Sequence, residues 1–436
     1  MEANVKKTGK VAGGLLTTVA TLAANAVVVE MGEPVVIAQS GKNNTLLVEI
    51  PTTGANEWGR YRCPMVFRLP SGDIGLTFSV CLDHYMDQGR KGPLFVSKDN
   101  GKTWTETHWP AGIPGTNIPL SPVFDGEHLC YPIGTGLRVD EEAMPPAAGA
   151  LKYGGPSTFN VFRLADCPDR VKAFYNDTRI LRWTPATGAW TEERVAWGDH
   201  KDQLVFTYND APQNIPGNWT QKFSPHQRFV LGDGEIYVAD YWSVYLNADG
   251  SAPVSWPASL MVSKDNGRTW ERRGFIASDA SGGPDGSHYA EPGLAMNQKG
   301  ELVCVMRDGN GGRPLLLTHS KDKGRTWDKP VSMRQIQPEF HNAGVLPQLL
   351  QLANGVLVLT YGRAPSTWAA FSLDGGHTWT KPHAVNTEAK TSCGYTCLLP
   401  LDDETLLVAY GDVEMKNPDG DPCKTILART LTVKPD

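Results

Sequence analysis

The sequence lacks several features that mark other classes of protein. Its 436 residues contain no uninterrupted apolar run of about 18 residues, so we predict no membrane span. No basic stripe is present and the formal net charge is −6, which argues against a nucleic-acid partner. Eight cysteines are few for a disulfide scaffold, and no CxxC pair or histidine accompanies Cys393 and Cys397, which argues against zinc. We therefore predict neither a metal nor a cofactor.

The first residues differ in composition from the rest of the chain. Lys6, Lys7 and Lys10 precede a run of small, mostly apolar residues at 11–24, which leads into Ala24-Asn25-Ala26. This order is typical of a secretory signal peptide with an A-x-A-like cleavage site. We expect residues 1–26 to be a signal peptide or a disordered tail, residues 27–436 to form one domain, and the protein to be exported to a periplasmic or extracellular location.

One pattern occurs four times along the chain. It reads S-x-D-x-G-x-T-W, and its copies lie at residues 97–104, 263–270, 320–327 and 372–379, with a degenerate fifth at 183–190. The aspartate can bond the backbone of its own turn, the glycine supplies a positive φ, and the tryptophan can pack the hairpin against its neighbour. Four copies are too many for chance, and they predict a repeated β-hairpin unit, the Asp box.

Between the Asp boxes the chain predicts short strand pairs around polar turns. The pairs are 65–69 with 74–80, 227–231 with 235–240, 293–296 with 301–306, 346–352 with 356–361, and 396–401 with 405–410. With a divergent unit at 159–174, they give an all-β fold, a six-bladed β-propeller with Asp-box repeats. A strand at 35–39 is expected to complete the last blade and close the ring.

Several polar residues stand where a first strand starts, where a second strand ends, or in the loop that follows. These positions lie at one face of a propeller, whereas the Asp boxes belong to the opposite face. The residues are Arg62, Asp83, Asp87, Glu291, Arg307, Arg363 and Tyr395. We expect the three arginines, the glutamate, the tyrosine and one aspartate to converge around one mouth of the central channel.

This set of side chains favours one kind of chemistry. Converging arginines need an anion, and guanidinium forks bind carboxylate in a bidentate manner. Beside a sugar carboxylate, a carboxylate nucleophile would be repelled, whereas a neutral tyrosine activated by a glutamate base would not. An aspartate in a flexible loop would then serve as acid/base for the leaving oxygen. The residues therefore indicate a glycosidase acting next to a sugar carboxylate.

The motifs resemble those of the sialidase superfamily. Besides the Asp boxes, Tyr61-Arg62-Cys63-Pro64 looks like the Arg-Ile-Pro motif of sialidases with cysteine in place of isoleucine, and the chain order Arg, Asp, Glu, Arg, Arg, Tyr is the sialidase order. Over about residues 62–410, the resemblance implies that Arg62, Arg307 and Arg363 bind the carboxylate. It also implies that Tyr395 is the nucleophile, Glu291 its base and Asp87 the acid/base, in an exo-acting retaining enzyme whose partner is a sialoglycoconjugate or another acidic glycan.

Several alternatives remain open at this stage. Asp83 can replace Asp87 as the acid/base, because the choice rests on spacing alone. The sugar could be another acidic or a neutral one, or the propeller could bind carbohydrate without catalysis. Cys63 and Cys81 face each other across the first hairpin, where buried thiols are favoured over a disulfide. The acids at 412, 419 and 421 are interpreted as a solvated loop in preference to a calcium site.

Overall fold

The computed structural model describes most of the chain. The described residues are 26–41, 46–48, 61–80, 92–113, 120–130, 137–139, 143–152, 158–198, 200–208, 214–215, 228–284, 287–309, 311–363, 366–387, 392 and 394–436. No helix among them is long and apolar enough to cross a membrane.

The described residues are predominantly β-strand. The first sixteen strands are β1 Val27–Met31, β2 Val35–Gln39, β3 Arg62–Arg68, β4 Ile74–Ser79, β5 Leu94–Ser97, β6 Thr105–Thr107, β7 Leu120–Pro122, β8 His128–Cys130, β9 Leu137–Arg138, β10 Gly149–Lys152, β11 Thr158–Arg163, β12 Arg179–Thr184, β13 Ala189–Arg194, β14 Ala196–Trp197, β15 Gln203–Tyr208 and β16 Asn214–Ile215. The others are β17 Val230–Gly232, β18 Glu235–Asp240, β19 Val244–Tyr245, β20 Ala258–Ser263, β21 Thr269–Ala277, β22 Tyr289–Met296, β23 Leu302–Asp308, β24 Leu316–Ser320, β25 Val331–Ser332, β26 Val345–Gln351, β27 Leu357–Gly362, β28 Trp368–Ser372, β29 His383–Ala384, β30 Thr396–Pro400, β31 Thr405–Asp412 and β32 Thr425–Pro435. Two short α-helices, α1 Asp169–Asn176 and α2 Met333–Ile336, lie between strands.

Six sheets follow one another around a ring. In chain order they are β3–β6, then β7, β8, β12 and β13, then β17, β18, β20 and β21 with β14 added, then β22–β25, then β26–β29, and finally β30–β32 with β1 and β2. A cluster of buried apolar side chains lies between each sheet and the next, and another joins the sixth sheet to the first. The fold is therefore the predicted all-β propeller. The number of six blades stays a prediction, which this closed cycle of interfaces favours.

The ring closes through the start of the described chain. β2 pairs antiparallel with β32, as the sequence predicts for residues 35–39, and β1 pairs with the later part of the same long strand. The last blade thus combines strands from both ends of the described chain, which ties the first sheet to the last.

The prediction for residues 159–174 was wrong. Phe159 lies in β11, which pairs with β10 and β15 in a separate sheet, and Phe174 lies in helix α1. That sheet combines segments from three connections between ring strands, with β19 as its last member. The second blade is formed instead by residues 120–130 and 179–194. Its long internal connection hides the four-strand spacing from a local reading of the sequence.

The Asp boxes have the predicted turn geometry. In the second box, Asp265 accepts hydrogen bonds from the Thr269 backbone N–H and hydroxyl at 2.8 and 2.7 Å, and Gly267 has φ of +83°. The indole N–H of Trp270 donates to the Gly267 carbonyl at 3.1 Å. The first and fourth boxes repeat this indole bond, whereas the indole nitrogen of Trp327 in the third lacks a partner among the described residues.

The strand register places these turns away from the predicted site. In the blade β22–β25, Ala290 pairs with Arg307 at one end of the first two strands. At the other end Met296 pairs with Leu302, and Leu302 pairs with Ser320, the first residue of the Asp box. The box and the start of β22 therefore lie roughly 20 Å apart along the strands, as the sequence predicts.

Candidate active site

The structure brings five of the predicted site residues to one end of the ring. Arg62 opens β3, Glu291 lies near the start of β22, and Tyr395 immediately precedes β30. Arg307 lies near the end of β23, and Arg363 directly follows β27. Each first strand runs antiparallel to the second strand of its blade, so the starts of one and the ends of the other meet at the same face.

Glu291 joins these residues through its carboxylate. Oε1 accepts a hydrogen bond from Arg307 Nη1 at 2.7 Å and one from the Tyr395 hydroxyl at 3.3 Å. Oε2 accepts a hydrogen bond from the backbone N–H of Leu346, in the next blade, at 2.9 Å. The side chain is buried, so these three donors fix the carboxylate where it can take the proton of the Tyr395 hydroxyl.

Tyr395 lies between opposite charges. The Cζ atom of Arg62 is 4.8 Å from the centroid of the tyrosine ring. Burial raises the pKa of the Tyr395 hydroxyl well above its usual value, and the negative charge of Glu291 raises it further, while Arg62 and Arg307 act in the opposite direction. The hydroxyl is thus protonated in the free protein at neutral pH, and it needs an adjacent base to act as a nucleophile.

Gly311 lies between two of the arginines. A Cβ atom at this position would be 3.0 Å from Arg363 Nη1, 3.1 Å from Arg307 Nε and 2.4 Å from Val345 Cγ1. Its φ of +79° is also one that L-residues rarely adopt. The two guanidinium groups therefore approach each other across a position that only glycine fills without displacing them.

Several residues with strained backbone lie at this face of the ring. Five residues other than glycine with positive φ lie here, and three of them precede a proline at a β-bulge near the start of a first strand. The three are Cys63 (φ 54°), Glu291 (φ 44°) and Leu346 (φ 42°), and the other two are Tyr61 (φ 49°) and Arg363 (φ 69°). Such conformations persist where the surrounding structure holds them, and they are enriched at functional sites.

A buried aspartate anchors the loop that contains Gly311. Asp308, the last residue of β23, accepts hydrogen bonds from the Ser287 hydroxyl at 3.2 Å and from the backbone N–H of His288 at 3.0 Å. Its Oδ2 also lies 3.2 Å from Nε of Arg313. Burial raises the pKa of the Asp308 carboxyl. These contacts hold both ends of the loop and so fix the glycine between the arginines.

The separate sheet forms a wall next to the start of β22. Phe159 and Phe206 of this sheet pack with Trp256 and with Ala290, the neighbour of Glu291. The backbone carbonyl of Trp256 also accepts a hydrogen bond from the backbone N–H of Tyr289, at 2.8 Å. The sheet therefore supports the strand start that carries Glu291.

Two predicted site residues cannot be placed. Asp83 and Asp87 lie outside the described residues, and so does Cys81, the predicted neighbour of Cys63. Cys63 itself is buried and forms no disulfide, which supports the interpretation favoured from the sequence. Asp412 is buried and accepts backbone hydrogen bonds from Glu414 and Met415, both at 2.7 Å, so it has a local structural role.

The sequence did not identify Gly311 or the Leu346 backbone N–H as parts of this site. A glycine-rich segment follows Arg307, and a proline follows each of the three bulged residues, so both features were visible as local signals. Their meaning depends on contacts between neighbouring blades, which spacing along one chain does not give.

Comparison with known proteins supports this architecture. Residues 181–405 match the family model described as BNR repeat-like domain, and residues 95–106 match the BNR/Asp-box repeat. A sialidase of Bacteroides fragilis (strain YCH46) is 26% identical over 404 residues, which cover 86% of this chain and 64% of that protein. A crystal structure of a protein of unknown function from Dyadobacter fermentans DSM 18053 has a TM-score of 0.60 at 19% identity, with 93% of this chain and 99% of that chain covered. This chain thus spans less than two thirds of the length of the curated relative.

Proposed function

Because this chain belongs to the family of BNR repeat-like domains, we propose that it is an exo-acting retaining glycoside hydrolase that removes a terminal sialic acid or a related acidic sugar. The proposal rests on two hydrogen bonds that Glu291 accepts, one from Arg307 and one from Tyr395. It combines a base, a nucleophile that bears no charge and a cation within hydrogen-bonding distance. The Bacteroides relative is named a sialidase, which supports the same class of reaction.

In the proposed reaction, the arginines hold the sugar carboxylate beside Tyr395. Arg62, Arg307 and Arg363 present guanidinium groups, whose paired donors match a carboxylate better than a point charge does. A substrate carboxylate near Tyr395 would repel an anionic nucleophile, whereas the protonated hydroxyl of Tyr395 approaches without that cost.

Tyr395 then attacks the anomeric carbon as its proton passes to Glu291. Asp87, or Asp83 as the alternative, donates a proton to the leaving oxygen, and the glycosidic bond breaks. A water molecule next attacks the anomeric carbon of the tyrosyl glycoside, and the same aspartate takes the proton of that water. Tyr395 recovers its proton from Glu291, and two inversions give net retention of configuration.

The wall formed by the separate sheet favours removal of a terminal sugar. It packs beside the start of β22, where Ala290 belongs to the same buried apolar cluster as Phe159 and Trp256. A wall on one side of a propeller mouth leaves less room for a chain that continues in both directions, which favours exo action. We also propose export, because residues 6–26 have the order of charges and apolar residues of a signal peptide.

The test is hydrolysis of a fluorogenic sialoside, with the anomer that forms first identified by NMR. Tyr395→Phe should lower kcat by roughly a thousandfold, the scale at which loss of a nucleophile acts. Tyr237→Phe is the matched control, because Tyr237 also donates to a glutamate, Glu235, at 2.6 Å but lies at the opposite end of its blade. Full turnover by Tyr395→Phe would contradict the proposed nucleophile.

The remaining outcomes separate the alternatives. Turnover that is confined to another acidic glycoside retains the mechanism and changes the sugar. Saturable sugar binding without turnover of any glycoside identifies a carbohydrate-binding propeller and rejects the enzymatic proposal.

A further inference from the structure

A cavity of about 380 Å³ lies on the axis of the ring. The first strand of each of the six sheets lines it, through residues of β3, β7, β17, β22, β26 and β30. Its walls are mainly apolar, with contributions from Leu294, Leu349 and Leu399. A volume of this size lies within the range of small-molecule pockets, and such pockets combine apolar walls with a few polar groups.

Arg228 supplies a positive charge to this cavity. The side chain lines the cavity and is half-buried. Its Nη2 atom lies 4.0 Å from Cys397 Sγ, and its Nε has no hydrogen-bond partner among the described parts of the chain. No carboxylate among the described residues lies within salt-bridge distance of it, and burial lowers the pKa of its guanidinium group. A thiol is a weak acceptor, so the protein itself compensates this charge poorly.

Four other buried or half-buried arginines of this ring are compensated by oxygen acceptors. Arg182, Arg273 and Arg307 each have a glutamate oxygen within 2.6–2.8 Å. Arg429 donates to two backbone carbonyls, at 2.9 and 2.7 Å. Among the residues that the structure describes, Arg228 has neither kind of partner, and a cation that is partly withdrawn from water without one is costly. The missing partner is expected to be an anion in the cavity.

We propose that the axial cavity binds a small organic monocarboxylate, held by Arg228 and by the apolar walls. The fork of donors on a guanidinium group matches the two oxygens of a carboxylate, and the volume exceeds what a halide ion fills. Cys397, which contacts Arg228, lies two residues after Tyr395, so the carboxylate lies about 7 Å along the strand from the tyrosine. This site differs from the glycan site and does not depend on the proposed hydrolase activity.

The test is calorimetric titration of the whole 436-residue chain with sodium acetate, butyrate or pyruvate, against sodium chloride at equal ionic strength. The carboxylates should bind saturably, and Arg228→Met should weaken the binding by roughly tenfold or more, since charged hydrogen bonds are lost. Tyr395→Phe should bind the carboxylates as tightly as the unaltered protein does. Equal binding by Arg228→Met, or by chloride, would overturn the proposal.

A second measurement uses the unaltered chain and does not depend on how the variant folds. Cys397 lines the cavity, so iodoacetamide that enters it alkylates this thiol, forming a carbon–sulfur bond and releasing iodide and the thiol proton to solvent. Butyrate should slow the labelling of Cys397 several-fold, as followed by peptide mass spectrometry, and should leave Cys304, which is buried elsewhere, unaffected. Labelling of Cys397 at an unchanged rate would also overturn the proposal. If the protein hydrolyses no glycoside, both results, the carboxylate binding and the slower labelling of Cys397, are still expected.

Discussion

At the scale of single residues, the chain contains two chemically similar groups of arginine, glutamate and tyrosine. In one, Arg307 and Tyr395 contact Glu291. In the other, Arg273 donates to Glu235 at 2.7 Å, and Tyr237 donates to the same glutamate at 2.6 Å. In the second group the hydrogen bond from Arg273 holds the pKa of the Glu235 carboxyl at about 2. Residue types alone therefore do not define the active site, and position at the mouth of the ring has to be added.

The same substitution at the two glutamates should affect different properties, catalysis at Glu291 and stability at Glu235. Glu291→Gln removes the base for Tyr395 and should lower kcat/KM by roughly a hundredfold or more. Glu235→Gln should leave kcat/KM unchanged and should destabilise the fold by about 1–3 kcal/mol, because the charged partner of Arg273 is lost. Steady-state kinetics with the fluorogenic sialoside and urea denaturation of both variants give the comparison. Equal losses of activity in the two variants would remove Glu291 from the proposed mechanism.

At the scale of elements, the loop after β23 sets the spacing of two arginines. Gly311→Ala would place a Cβ against Arg307, Arg363 and Val345, and it would also strain the backbone at φ +79°. Gly300→Ala is a matched control, because Gly300 lies in the turn at the other end of the same hairpin with φ +77° and nothing within 4 Å of its Cβ position.

Both glycine variants should lose roughly 1–2 kcal/mol of stability from the strained φ. Only Gly311→Ala should also raise KM for the acidic glycoside, by roughly tenfold, because the two guanidinium groups are pushed apart. If Gly300→Ala raises KM as much, the effect belongs to the hairpin as a whole and the positioning role of Gly311 is wrong.

The same scale separates what the sequence could predict from what it could not. The strand pairs around residues 297–300 and 402–404 and the Asp-box turns follow from local turn chemistry, so they were readable one segment at a time. The convergence of Arg62, Glu291 and Tyr395 followed from the alternation of strand direction within a blade. The sheet that contains Phe159 combines strands from three distant connections, and pairing of that kind leaves no periodic signal in the chain.

At the scale of the whole molecule, several buried and half-buried histidines resist protonation. His319 and His377 stack between two neighbouring blades with ring centroids 4.5 Å apart. Burial lowers the pKa of His319, and the neighbouring His377 lowers it further. Burial also lowers the pKa of His128 and His341. In the unfolded chain these groups have a pKa near 6.5.

Stability of the ring should therefore fall as the pH drops below about 6.5, the ordinary pKa of histidine. In that window the unfolded chain takes up protons and the folded chain does not. The free energy of unfolding therefore decreases as the pH falls, and it levels off below the lower pKa of the folded state. The slope is limited to about 1.4 kcal/mol per pH unit for each such histidine. The Asp-box carboxyls, whose pKa is lowered to about 2 at Asp99 and Asp322, lose their contribution only as the pH falls below about 4, so they act in a separate window.

Urea denaturation between pH 7 and pH 5 tests this assignment. His319→Gln should flatten the dependence of unfolding free energy on pH, because the neutral amide takes up no proton in either state. His108→Gln is the matched control, since it makes the same substitution at an exposed histidine outside this interface. If the slope stays the same in His319→Gln, the acid sensitivity of the ring does not arise at the interface between these two blades.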